Sequence, residues 1–362
     1  MHPRPVFVPE FIPWLPVWTV VVGFIVGTVT GSFLNMLIYR LPRGISFVKP
    51  SYSMCPNCKE ALAWKDLVPI FSWLSTKGRC RYCAVNIAPR YMYVEILCGL
   101  LFAGLWWQYA IATEQGARML AYMAATGALV AVVFIDWELF IIPDELNAVF
   151  LPIGALLGIY NHALSTFFWG AFTGWALLWG IAFLGRALLG KDAMGHGDIK
   201  LMRGVGAILG PLLTGASVIA AVFAGLIIGV ALMLIFREKP NAKPESSQLV
   251  TDANEVPKTQ IPNPKTDEGE YPPESIPHLL KMGLFYFLCL DVIGIFLPKV
   301  YNLFGEEPEE VMIEEDDWKP SATTIPFGPY LALGALACML FAAPIQEGFE
   351  NYWASATGAN VR

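Results

Sequence analysis

Charge is scarce in this chain. Only 15% of its 362 residues are Asp, Glu, Lys or Arg, against 56% hydrophobic ones, a balance that excludes an ordinary soluble core. No basic stripe with interleaved aromatics is present, so no nucleic-acid partner is expected. The alternating runs of outer-membrane strands are missing, as is any internal repeat. The first apolar run, 14–39, lacks the small-residue cleavage pattern of a secretory signal, so it is expected to be a retained helix. What is present is a series of apolar runs near the roughly 20 residues that cross a bilayer as a helix. The expected fold class is therefore an all-α polytopic membrane protein, about eight transmembrane helices in all, with a small zinc-ribbon-like domain in the cytoplasm. The lipid bilayer is its first expected partner.

Charge placement orients the chain. Between Arg40 and Arg90, Lys and Arg recur while only Glu60 and Asp66 oppose them, which puts this loop in the cytoplasm and the N-terminus outside. The expected organisation is a first transmembrane helix in 1–40, a cytoplasmic zinc-binding domain at 41–90 and a transmembrane catalytic bundle at 91–236. A polar insert at 237–326 follows, low in large apolar residues up to 278 and therefore loosely held. It contains one apolar segment, 279–298, and the acidic stretch "EEPEEVMIEEDDW". A last transmembrane helix at 327–343 and a tail at 344–362 complete the chain. Within the bundle, helices are expected at 91–111, 119–135, 146–160, 166–189, 201–213 and 216–236. Simple alternation then puts Asp136 and Asp198 on the same, inner face.

Four of the seven cysteines form "CPNC" at Cys55 and Cys58 and "CRYC" at Cys80 and Cys83. Each C-x-x-C offers two thiolates on one tight turn, and the two turns together complete a tetrahedral Zn2+ site with no open position, hence a structural one. Thiols stay reduced in the cytoplasm, so zinc outweighs two disulfides. Cys98, Cys289 and Cys338 lie in apolar segments and read as packing residues.

Asp136 closes the third apolar helix, and Asp198, in "AMGHGDIKL", opens the sixth. Ionisable groups at membrane depth are expensive and mark function by default. Two converging carboxyls share one proton because like charges repel. The ionised one can then take a proton from water while the neutral one polarises a scissile carbonyl, which is aspartic-protease chemistry without metal. By macrodipole sign Asp198, at a helix N-terminus, is the more readily ionised of the two. On spacing alone Asp198 is equally well a helix N-cap. Gly195 and Gly197 are expected to support the site through backbone conformations closed to other residues and through close approach. Asp144, in "IPDELN", reads as the N-cap of the expected helix 146–160, and His196 as a solvated loop histidine. Asp291 has no legible partner. Glu138, Glu145 and Asp192 make the inner rim acidic.

The motifs "GSFLNMLIYRLP", "CPNC" with "CRYC", "RYMYVE", "IDWELFIIPD", "GHGDIKL" and "IPFGPYLALGA", in this order, resemble the type IV prepilin peptidase and N-methyltransferase family. The resemblance implies that Asp136 and Asp198 are the catalytic aspartates. It implies cleavage of the basic leader of prepilins or pseudopilins after a glycine, at the cytoplasmic face of the bacterial inner membrane. It also implies methylation of the new N-terminus with S-adenosylmethionine, zinc on Cys55, Cys58, Cys80 and Cys83, and pilus or secretion assembly proteins as further partners. The cysteine loop shows no glycine-rich cofactor motif, so the residues binding the methyl donor are unknown. One departure stands out: about 90 residues separate the seventh helix from "IPFGP", where the family has a short connection. The segment 279–298 is accordingly expected to be interfacial, with the acidic stretch inside. Two competing readings use the same carboxylates: a presenilin-like intramembrane protease of other helices, and a proton-coupled transporter that is no enzyme. The zinc loop opposes the first, and the lack of related halves opposes the second.

Overall fold

The computed structural model describes residues 15–46, 52–113, 115–190, 194–235, 274–297, 299–304 and 326–357. Helix α1, Leu15–Arg40, is 26 residues long and spans roughly 39 Å at 1.5 Å per residue, enough to cross a bilayer. It stops in a 3-10 turn containing Pro42, after which Gly44 takes a left-handed φ of 61°. The cysteine loop follows and holds the short α2, Phe71–Ser75. α3, Arg90–Trp106, is prolonged by a π turn, Trp107–Ala112. Then come α4, Gly116–Leu139, α5, Asp144–Tyr160, α6, Leu164–Leu189, α7, His196–Leu209, and α8, Pro211–Ile235. Within the insert lie α9, Ile276–Phe287, α10, Leu290–Phe296, and α11, Lys299–Phe304, and after it come α12, Gly328–Leu340, and α13, Ala342–Thr357.

Among the described residues five helices (α1, α3 with its π turn, α4, α6 and α8) are long and apolar enough to span. The number rises to seven if the bent pairs α9 with α10 and α12 with α13 each count once. α5 and α7 coincide with two of the other expected helices but, with 17 and 14 residues, fall short of the length that this count requires. α7 also carries Asp198, Lys200 and Arg203, charges that lipid-facing spans avoid. The tail contains a helix, α13, set at 80° to α12. The 236–273 part of the insert and the acidic stretch lie outside the described residues.

α7 runs deep in the bundle: every residue from Leu201 to Leu209 is buried. It lies between α5 and α6 with almost no side chain in the seam. A Cβ added at Gly174 of α6 would collide with the Met202 carbonyl, and one at Gly170 with the Gly206 carbonyl. Small residues four apart allow this backbone approach, the usual device for helix pairs in lipid.

Candidate active site and metal centre

α4 ends one turn after Asp136. Phe140 takes a left-handed conformation, φ 57°, and its N–H donates to the Asp136 carbonyl at 2.9 Å. For a residue with a Cβ this costs about 1–2 kcal/mol, and it swings the chain through Ile142 into α5. The Asp136 side chain is only 5% exposed, and its Oδ2 is buried with no hydrogen-bond partner among the described residues. Buried polar atoms are rarely left so, because desolvation without a partner is costly.

Asp198 is the third residue of α7, not its N-cap, which is Gly195. Its carboxylate folds back over that residue: a Cβ on Gly195 would stand 3.3 Å from Asp198 Oδ2. Asp136 lies close enough for its charge to act on Asp198, so two carboxyls remote in sequence lie at the same end of the bundle. A third element closes the site. A Cβ on Gly328, at the start of α12, would collide with Asp136 Oδ2 and stand 3.1 Å from Ile142 Cδ1, while one on Gly197 would stand 3.1 Å from Ile142 Cβ. Ile142 is therefore wedged between the two glycines. Gly195 is extended (φ −70°, ψ 144°) and Gly197 is helical, so neither uses a glycine-only backbone. The expected conformational freedom is not there, and closeness is what these glycines supply.

Three expectations about single residues change. Asp144 is not an N-cap: it is the first residue of α5, and its carboxylate accepts from Lys200 Nζ at 2.9 and 3.0 Å and from Tyr301 OH at 3.4 Å. His196 is no solvated loop residue, since it opens α7 with Nε2 2.7 Å from Glu274 Oε1. Asp291 has a partner in Arg203, which donates through Nη1 and Nη2 at 2.8 and 2.7 Å, both side chains being 2% exposed. Arg203 Nη1 also holds the Tyr286 carbonyl. The α9–α11 segment is thus bolted to the helix that carries Asp198. On the rim, Glu138 pairs with Arg90 and Glu145 is exposed, while Asp192 lies outside the described residues. Sequence reasoning missed Lys200, Arg203 and Gly328. Only the last had a visible signal, its place in "IPFGP".

The cysteines converge as their spacing requires. Each knuckle is the same turn: Cys55 N–H donates to the Glu60 carbonyl at 3.0 Å and Cys80 N–H to that of Val85 at 2.8 Å. The residues after the second cysteines, Lys59 and Ala84, both have positive φ, 58° and 57°. The four sulfurs lie within 4.8 Å of one another, Cys55 Sγ and Cys83 Sγ at 3.9 Å. Zn–S bonds of about 2.3 Å in a tetrahedron imply sulfur separations of about 3.8 Å, so the set fits a closed zinc site. The Val85 N–H and the Asn57 amide hold the Cys83 thiol down, to about 6. Arg81 and Tyr82 tie the second knuckle to Asp66, at 2.7 and 2.9 Å. A loop with so little core is the kind that a bound metal folds. Chelation by a zinc-specific ligand should therefore make 52–89 sensitive to trypsin while the bundle stays resistant, and mass spectrometry of the fragments reads this directly.

Two family models match the chain, the Bacterial Peptidase A24 N-terminal domain over residues 25–109 and the Type IV leader peptidase family over 123–230. A prepilin leader peptidase/N-methyltransferase of Myxococcus xanthus (strain DK1622) is 31% identical over 321 residues, covering 85% of this chain and 86% of that protein. Proteins described in the same words are 31% identical in Aeromonas hydrophila (59% of this chain, 80% of that protein) and 35% identical in Klebsiella pneumoniae (49% and 80%). No solved structure matches.

Proposed function

The chain belongs to the type IV leader peptidase family, and on that premise we infer that Asp136 and Asp198 together perform the cleavage. The protein is a membrane aspartic endopeptidase and N-methyltransferase that removes the leader from prepilins. The observation that carries the assignment of residues is the meeting of two acidic side chains from separate helices beside a carboxylate oxygen with no partner. Repulsion between the two leaves one protonated. Asp198, in the first turn of α7, gains from the helix dipole and serves as the base that deprotonates water, and Asp136, at the C-terminal end of α4, donates toward the scissile carbonyl. The pair titrates as a unit, so the protonation belongs to the dyad rather than to either residue.

The substrate fits the place. A prepilin has a basic leader and an apolar helix, and the dyad sits at the end of a lipid-spanning bundle beside the basic cysteine loop. By the positive-inside rule this end faces the cytoplasm, across the bacterial inner membrane. Pseudopilins carry the same two parts and belong to the same substrate class, and pilus or secretion assembly proteins are the further partners in this reading. Zinc on the four cysteines folds 41–90, and S-adenosylmethionine supplies the methyl group. Incubating the purified protein in lipid vesicles with a prepilin and S-adenosylmethionine should yield a product shortened by its leader and heavier by one methyl group. An intact prepilin after prolonged incubation would return the carboxylates to proton transport.

A further inference from the structure

Neither aspartate explains where the methyl donor sits, and a cavity lies elsewhere in the molecule. Between the loop-side ends of α1 and α3, beneath the cysteine loop, lies a cavity of about 500 Å³, inside the roughly 300–1,000 Å³ range of small-molecule sites. Its polar side chains are deeply placed: Asn35 is 4% exposed and Glu95 7%. Asn35 Nδ2 donates to the Tyr91 carbonyl at 2.9 Å, yet its Oδ1 is buried and has no hydrogen-bond partner among the described residues. Glu95 Oε2 accepts the Ile70 N–H at 2.6 Å, which ties the loop to α3. Tyr39, Tyr91, Trp73 and Met92 contribute to the walls.

We propose that this cavity binds S-adenosylmethionine, with Asn35 and Glu95 as its polar anchors. The assignment rests on the methyl-transfer reading above. Its chemistry matches the donor on three counts. An adenine presents an amino group that needs an acceptor, and Asn35 Oδ1 is one without a partner. A sulfonium is a permanent cation, which a carboxylate stabilises and aromatic faces attract. The flat purine suits Tyr and Trp walls. In the reaction the acceptor amine of the cleaved pilin gains the methyl group and loses a proton to solvent, and S-adenosylhomocysteine departs. The cavity also adjoins the protease end: Tyr91 follows Arg90, whose guanidinium pairs with Glu138, two residues beyond Asp136. A freshly cut N-terminus therefore has a short way to travel.

The test uses the full-length, zinc-loaded protein in micelles, dialysed against labelled S-adenosylhomocysteine, which binds without reacting. Glu95→Gln and Asn35→Leu should each weaken retention by about tenfold or more, the size of one lost hydrogen bond to a charged or buried group. Irradiation with S-adenosylmethionine should label peptides covering 32–39 or 91–95. Wild-type affinity in both variants, or labelling confined to other segments, overturns the site. If either variant fails to fold, Met92→Trp, which narrows the cavity from its wall, carries the same expectation. Wild-type protein that cleaves and methylates but holds the probe elsewhere refutes the site alone. Protein that cleaves but neither methylates nor retains the probe refutes the methyl-transfer reading together with it.

Discussion

Leader cleavage should fall by about 10⁴-fold when Asp136 or Asp198 is replaced by asparagine, the upper range of what a positioned acid or base supplies. An amide keeps the shape of the carboxyl but cannot exchange the proton, so α4 and α7 should pack as before and thermal unfolding should be unchanged. The double variant should be scarcely worse than either single one, because groups that act as a unit lose their whole effect when one is removed. Methylation of a pilin supplied already cut should persist in both variants, since the proposed donor cavity lies at α1 and α3. Single-turnover assays with uncut and pre-cut substrate separate the two activities. Wild-type cleavage by either variant would remove the pair from the mechanism.

Arg203→Met should be the most damaging change away from the aspartates. It leaves Asp291 as an uncompensated charge in a site 2% exposed and takes a donor from the Tyr286 carbonyl. Removing one partner of a buried ion pair costs about 3–5 kcal/mol, a large part of the roughly 5–15 kcal/mol that holds a domain folded. The half-life of cleavage activity at elevated temperature should shorten accordingly. The paired replacement Arg203→Met with Asp291→Leu removes both charges and should recover most of the loss, because desolvation and attraction nearly cancel in such pairs. A single variant as heat-stable as the parent would mean that α9–α11 are not fastened through this pair.

Much of this architecture is legible in the sequence because it follows from local rules. Apolar run length set the limits of α4, α5 and α6 to within a few residues, and C-x-x-C spacing gave the cysteine cluster with its paired turns. Counting helices put Asp136 and Asp198 on one face. What resisted was long-range pairing. Arg203 and Asp291 belong to segments separated by a polar insert, and neither signals the other: Arg203 looks like part of a basic patch after Lys200, and Asp291 looks stranded in an apolar run. Asp144 resembled an N-cap because Pro143 precedes it, and its bond to Lys200 appears only once α5 and α7 lie side by side. The donor cavity is assembled from α1, α3 and the cysteine loop, and no single stretch reveals it.

The seam between α6 and α7 sets how the enzyme can open. Carbonyls rest directly on glycine backbone at Gly170 and Gly174, leaving no pliable layer through which one rod could slip along the other. α6, α7 and the α9–α11 segment fastened to them must therefore travel as one rigid wall. Room for an unwound peptide has to be made on the opposite bank, where the strained bend at Phe140 and the glycine at the head of α12 give the Asp136 side its play.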